Sequence, residues 1–342
     1  MQENRSGGSN RFVLATIVLI ILLALVLGCS PGLIARSNPT GTVESIRIAI
    51  FPYETNTLIY IAQEQDYFAA EGLDVTIKNY ASVTGALNGM LNGESDLSVA
   101  SEFVLVGKAF RREDIRALAS IDKFVQISIV ARKDRGIKNI SDLAGKKIGV
   151  FKTAVSEFYL GRFLELHGMN VGQVTLYDTS SSDIVAALTN GTVDAVVTGQ
   201  PNIDRIGNNL GREIVVWSAQ SNQPAYYNVY SAGRWASDHP EMVKRFLNSL
   251  VRAENYLIAN PDAAKTLIQE RLNYSAAYIA SIWPEHQFSV TLERGLVAAM
   301  EDQARWMINN NLTTEKKAPN FSDYIYVDGL KQVKPNAVNI FQ

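Results

Sequence analysis

Short β-branched runs alternate with amphipathic stretches along most of this chain, from residue 46 onward. Residues 46–51 (IRIAIF) form an apolar run of strand length. Residues 57–70 place Leu58, Ile61, Ala62 and Phe68 near helical spacing, and Gly72 just beyond them suits a left-handed helix end. A strand over 74–80, a helix over 84–92 closed by Gly93 and a strand over 97–100 follow. Strand, helix and strand at these spacings predict βαβ units and a parallel sheet.

The same order returns about 100 residues later. KIGVF at 147–151 echoes RIAIF at 47–51, helices are predicted over 156–167 and 184–190, and a strand over 174–177. Asn190-Gly191-Thr192-Val193-Asp194 repeats Asn92-Gly93-Glu94-Ser95-Asp96, each ahead of an apolar strand. Matched elements in one order predict two α/β lobes of similar topology. If the lobes face each other they create one cleft, and in open α/β sheets ligands sit beyond the carboxyl ends of the strands. The loops placed there are 52–56, 81–84 and 101–103 in the first lobe, and 152–156, 179–183 and 199–202 in the second.

A different pattern precedes the repeats. Arg5 and Arg11 lead into an apolar run over 12–27, and polarity returns after Gly28-Cys29. A positive start, an apolar centre and a small residue before the cut are the parts of a secretory signal. The chain's one cysteine stands at that cut, as in a lipobox. We expect residues 1–28 to be a signal peptide, Cys29 to carry lipid, and 29–44 to be a tether interrupted by Pro31, Gly32, Pro39 and Gly41. The alternative is an uncleaved anchor, although the 16-residue run is shorter than the ~20 residues that span a bilayer. Both readings place the rest of the chain outside the cytoplasm.

Composition removes several function classes. At 342 residues the chain exceeds the size at which single cores divide. Its 32 basic and 34 acidic side chains leave no positive field for a nucleic acid. One cysteine excludes a disulfide framework and a Cys-based zinc site. His167, His239 and His286 show no metal spacing, Gly145-Lys146-Lys147 lacks the remainder of a phosphate loop, and no G-x-S-x-G occurs. We expect no catalysis, no cofactor and no metal.

Five segments carry a resemblance. EQDYFAAEGLD at 64–74, LNGMLNGESD at 87–96, ISDLAGKKIGV at 140–150, ALTNGTVDA at 187–195 and HPEMVKRF at 239–246 resemble, in order and spacing, the nitrate/sulfonate/taurine family of ABC-transporter substrate-binding proteins. Thiamine-precursor-binding proteins share that family's fold. The resemblance runs from about residue 46 to about 261. It implies an α/β, two-lobed periplasmic-binding-protein fold (type II, a venus flytrap) with a ligand cleft between two open α/β sheets. The first lobe would combine 45–123 with 229–342, and the second would be 124–228. The implied function is that of a monomeric, lipid-anchored extracytoplasmic protein. It would capture a small organic anion or zwitterion, such as a sulfonate, taurine or nitrate, and deliver it to an ABC permease with its ATPase. The alternatives are a binder of thiamine pyrimidine precursors, or an extracytoplasmic sensor or enzyme reusing the fold. Pyrimidine synthases of that branch use a cysteine-rich segment that Cys29 alone cannot supply.

Candidate ligand contacts follow from the cleft loops. Ser82 and Thr84, Thr153 and Ser156, and Ser181 and Ser182 stand at predicted helix starts, whose free N–H groups suit an anion. Simple N-capping is the alternative for each. Lys152 follows a strand and could face an anion, although the family usually has a small residue here. Phe51, Tyr53 and Tyr226 are candidate walls, and Ser101 and Gln200 belong to facing loops. Glu54 and Glu102 each follow a first-lobe strand. Either could be a surface carboxylate. If both line the cleft they favour a ligand with an amino group, such as taurine or a protonated pyrimidine, and disfavour nitrate.

Overall fold

The computed structural model describes residues 43–152, 154–180 and 182–340. The expected leader, the Cys29 lipid site, Thr153 and Ser181 lie outside the described residues. Eleven strands are described: β1 (Glu44–Ile50), β2 (Leu73–Asn79), β3 (Leu97–Ser101), β4 (Arg116–Phe124), β5 (Ser128–Arg132), β6 (Lys147–Val150), β7 (Thr175–Asp178), β8 (Ala195–Thr198), β9 (Ile214–Ser218), β10 (Ala225–Ser231) and β11 (His286–Gln287). They form a six-stranded sheet in the order β11-β4-β10-β3-β1-β2 and a five-stranded sheet in the order β7-β6-β8-β5-β9.

The two sheets repeat one plan. In the first, β1 lies parallel to β2 and β3, and β10 enters antiparallel between β3 and β4. In the second, β6 lies parallel to β7 and β8, and β5 enters antiparallel between β8 and β9. The repeated Asn-Gly-x-x-Asp block does the same work in both. Gly93 and Gly191 take φ near +75°, where a side chain is strained, and turn the chain out of the helix. Asp96 then accepts from the Arg47 amide at 2.7 Å and Asp194 from the Lys147 amide at 2.9 Å, each locking the start of the neighbouring strand.

Gln220 ties together the two segments that pass between the sheets. It is fully buried; its Oε1 accepts from the Ile127 amide at 2.7 Å, and its Nε2 donates to the carbonyls of Phe124 and Gln223, both at 3.0 Å. A second contact joins the helix Val155–Leu166, beside the second sheet, to the helix Arg294–Asn309, beside the first. Phe158 meets Trp306 edge-on at 5.7 Å, Phe103 packs on both, and Arg162 pairs with Asp302 at 3.6 Å.

Gly161 makes that contact possible, because a Cβ there would fall inside the buried indole of Trp306. Gly→Ala within a helix gains about 1 kcal/mol in propensity. Overpacking against a ring that Phe103 and Phe158 hold costs about 1–3 kcal/mol. Gly161→Ala is therefore expected to lower stability, read as a reduced urea midpoint. A raised midpoint would contradict this packing.

Asp238 with Glu241 three residues on reads as a capping box at a helix start; in the structure Asp238 ends the helix Gly233–Asp238, and Pro240 opens the next helix, Pro240–Ala259. The chain after Lys316, which polarity and prolines mark as irregular, packs on the first sheet. Ile325 bridges Ala117, and Phe321, Leu330 and Ile340 are buried.

Candidate functional site

The carboxyl end of the first sheet gathers acids and tyrosines. After β1 the chain turns at Phe51-Pro52-Tyr53 into a short 3-10 turn, Glu54–Asn56. Asn56 Nδ2 donates to the carbonyls of Phe51 (2.8 Å) and Tyr53 (3.1 Å), and Thr57 Oγ1 donates to that of Glu54 (2.6 Å). This cage fixes Glu54, which is fully buried rather than a surface acid. Its Oε2 accepts from the Tyr274 hydroxyl at 3.1 Å and its Oε1 from that of Tyr278 at 3.3 Å. The two rings meet edge-on at 4.6 Å. Burial raises the Glu54 carboxyl above its ordinary range, although the charge of His286 and the surrounding hydrogen bonds pull it back.

Asp122 and His286 lie beside it. His286 Nδ1 is 2.7 Å from Asp122 Oδ2, and its Nε2 is 3.8 Å from Glu54 Oε1, with both side chains inaccessible. The imidazole is sandwiched between Phe288 (5.1 Å, nearly parallel) and Phe124 (5.4 Å). His286 Nε2, Asp122 Oδ1 and Gln126 Oε1 are buried without a hydrogen-bond partner among the described residues.

The strands continue the row. Ser101, Tyr227 and Asp122 are direct partners across β3, β10 and β4. Burial, followed by the charges of Glu102, Glu54 and Asp122, holds the Tyr227 hydroxyl firmly protonated, so it is a hydrogen-bond donor. Tyr53 is kept protonated by burial and by Glu54 in the same way. Across the cleft, the carbonyl of Gln200 lies 3.4 Å from the Tyr278 hydroxyl and so brings the second lobe to this cluster.

Tyr226 points the other way. Strand neighbours alternate faces, and its hydroxyl lies toward Glu293 and Gly295, with Lys123 as its strand partner. The ring among the acids therefore belongs to Tyr227, and the reading of Tyr226 as a wall of this cluster is corrected.

Glu102 is also fully buried rather than a surface acid. Its Oε2 accepts from the Tyr226 amide at 3.0 Å and its Oε1 from Gln303 Nε2 at 2.7 Å, so it joins β10 to the helix Arg294–Asn309. Burial pushes this carboxyl up to about 7.

The remaining candidates are placed as follows. Ser82 caps the helix Val83–Leu91, accepting from the Gly85 amide at 3.0 Å, and Thr84 is exposed. Phe51 is half-buried, 6.1 Å from the Tyr53 ring. Ser156 Oγ donates to the Phe51-like position of the second lobe, the Phe151 carbonyl, at 3.2 Å. Lys152 is half-buried and its amide donates to Asp178 Oδ1 at 3.2 Å. The Gln200 side chain braces Asp204 at 3.0 Å, ahead of a cis peptide bond to Pro201.

Sequence reasoning left Asp122, Gln126, Tyr227, Tyr274, Tyr278 and His286 out of the site. No helical spacing marks the two tyrosines, because Tyr274 precedes Ser275, the N-cap of the helix Ala276–Ile282, and only Tyr278 lies inside that helix.

The family model described as NMT1/THI5 like matches residues 54–264. A formylaminopyrimidine-binding protein of Halalkalibacterium halodurans is 21% identical over 291 residues, covering 81% of this chain and 85% of that protein. A 4-amino-5-hydroxymethyl-2-methylpyrimidine phosphate synthase of Aspergillus parasiticus is 22% identical over 227 residues, covering 60% of this chain and 64% of the enzyme. The crystal structure of the periplasmic aliphatic sulphonate binding protein of Escherichia coli superposes with a TM-score of 0.70 at 17% identity, covering 83% of this chain and 97% of that one. The fold is thus that of the periplasmic binding proteins, with two open α/β sheets.

Proposed function

Since this chain belongs to the NMT1/THI5-like family, we propose that it is an extracytoplasmic solute-binding protein that takes a small molecule into the cleft between its lobes. Delivery to an ABC permease and anchoring through a lipid on Cys29 complete the reading, and the protein is a binder rather than an enzyme. The lobes are those of the two sheets, joined by the segments that Gln220 ties together.

One observation carries the choice of ligand. Glu54 and Asp122 are buried together at the cleft, and among the described residues no lysine or arginine hydrogen-bonds or ion-pairs with either. A bare anion would have to enter beside two carboxylates. A heteroaromatic ring with an amino group instead offers N–H donors to Glu54 and a flat face to Tyr53 and Tyr227, in the manner of an apolar site with few placed polar groups. We therefore place a 4-aminopyrimidine ahead of the sulfonates, with taurine, whose ammonium could also meet Glu54, as the second choice. The name of the Halalkalibacterium relative supports the first and that of the Escherichia coli structure supports a sulfonate.

Hydrogen bonds to a charged group contribute about 1.5–3 kcal/mol, and each 1.4 kcal/mol is tenfold in Kd. Glu54→Gln is thus expected to weaken 4-amino-2-methylpyrimidine binding by about one to two decades, measured by calorimetry. An unchanged Kd would remove Glu54 from the ligand's reach.

A further inference from the structure

We propose that His286, anchored by Asp122 and aimed at Glu54, is a specificity-determining positioning residue that decides whether Glu54 is free to pair with a ligand. The inference rests on the reading of the cleft as the ligand site. Three segments far apart in sequence converge here: the turn after β1 brings Glu54, β4 brings Asp122, and β11 brings His286. The imidazole is fully buried, held flat between Phe124 and Phe288, with Nδ1 at 2.7 Å from Asp122 and Nε2 directed at Glu54, 3.8 Å away. Nδ1 is thereby committed as a donor to Asp122. The imidazole proton that can come and go is the one on Nε2, the nitrogen that faces the candidate binding carboxylate.

The two protonation states offer different sites. As imidazolium, His286 carries an N–H toward Glu54 and supplies that carboxylate with an internal counter-charge. A ligand cation then competes with a fixed one. As neutral imidazole, His286 presents a bare Nε2 beside Glu54. The cleft then holds two uncompensated carboxylates and pairs with a ligand that brings its own charge or N–H donors. Ligand binding in the second state is coupled to loss of one proton from Nε2 to solvent.

The other groups facing the pair do not remove this choice. Tyr274 and Tyr278 donate to Glu54 in either state. Tyr53 and Tyr227 are neutral donors. Glu285, one residue before His286, adds a further negative charge. Burial works against the imidazolium, but Asp122, Glu54 and Glu285 outweigh it and raise His286 above its ordinary value. The switch therefore lies above the ordinary imidazole value.

The test has two arms. In the first, the imidazole resonances of the three histidines are titrated by NMR in the wild type and in Glu54→Gln, with His286→Asn assigning the signal. Asparagine retains an N–H for Asp122 and lacks Nε2. His286 is expected to titrate above 6.5 in the wild type and lower in Glu54→Gln. In the second, the affinity of benzamidine, an amidinium that keeps its charge from about pH 5.5 to about pH 8.5, is measured across that range. One released proton makes affinity rise by up to about tenfold per pH unit through the His286 titration, and His286→Asn is expected to lose the rise centred on that titration, leaving only the Glu54 carboxyl to titrate. An unchanged titration in Glu54→Gln, or a wild-type slope retained in His286→Asn, overturns the inference. A shifted titration with no binding of benzamidine or 4-amino-2-methylpyrimidine upholds the coupling of the pair and overturns the reading of the cleft.

Discussion

Glu102→Gln is expected to remove a loss of stability of about 3 kcal/mol that the native protein suffers between mildly acidic and alkaline pH. The Glu102 carboxyl is raised from 4.5 to about 7 by complete burial. Between those values the folded state holds a proton that the unfolded state has released, so the unfolded state binds fewer protons and stability falls as pH rises. The contribution is fully present below about 4.5, declines through the window and levels above about 7. About 2.5 pKa units at 1.36 kcal/mol each give the magnitude. Glutamine retains the shape and an acceptor for the Tyr226 amide. Its new N–H₂ can meet Gln303 Oε1, which is buried without a hydrogen-bond partner among the described residues, once the Gln303 amide turns over. Glu54 and His286 are raised as well and lose stability in the same direction. The reading is therefore the difference between variant and wild type, taken from urea midpoints at pH 5 and pH 8. A gap that does not widen with pH would show that Glu102 is not carrying this penalty.

Gln220→Ala is expected to cost about 3 kcal/mol. The substitution strips partners from the Ile127 amide and from the carbonyls of Phe124 and Gln223 where the chain crosses between the sheets. Each buried group left unmade costs about 1–3 kcal/mol, reduced where water can enter. Gln220→Glu retains the acceptor for Ile127 but sets a buried carboxyl against the carbonyl oxygens of Phe124 and Gln223, so it is expected to cost at least as much as alanine in chemical denaturation. A loss below about 1 kcal/mol for the alanine variant would mean that the crossing segments are held by something else.

The parts of this molecule that the sequence disclosed are those built from local pattern. The Asn-Gly-x-x-Asp repeat is legible because a positive-φ glycine and a capping aspartate are needed wherever this helix-to-strand turn occurs. Glu54 and Glu102 were findable because each stands in the loop or turn that follows a strand. Their burial was not, since the groups that cover them arrive from 226, 274, 278 and 303. The same holds for His286, which lies 164 residues from Asp122 with no spacing that marks the pair. That Tyr227 and not Tyr226 joins the acids has a physical reason. Adjacent strand residues face opposite ways, and which face meets the cleft depends on strand partners the sequence does not name. The C-terminal stretch was missed because Phe321, Ile325, Leu330 and Ile340 are single anchors with neither helical nor strand period.

The buried acids at the cleft are expected to favour an N–H-bearing ring over a bare anion. Calorimetric titration of the wild-type protein at one pH with 4-amino-2-methylpyrimidine, taurine, methanesulfonate and nitrate tests it most directly. The pyrimidine is expected to bind most tightly, taurine more weakly, and methanesulfonate and nitrate not measurably. Tighter binding of methanesulfonate or nitrate than of the pyrimidine would contradict it.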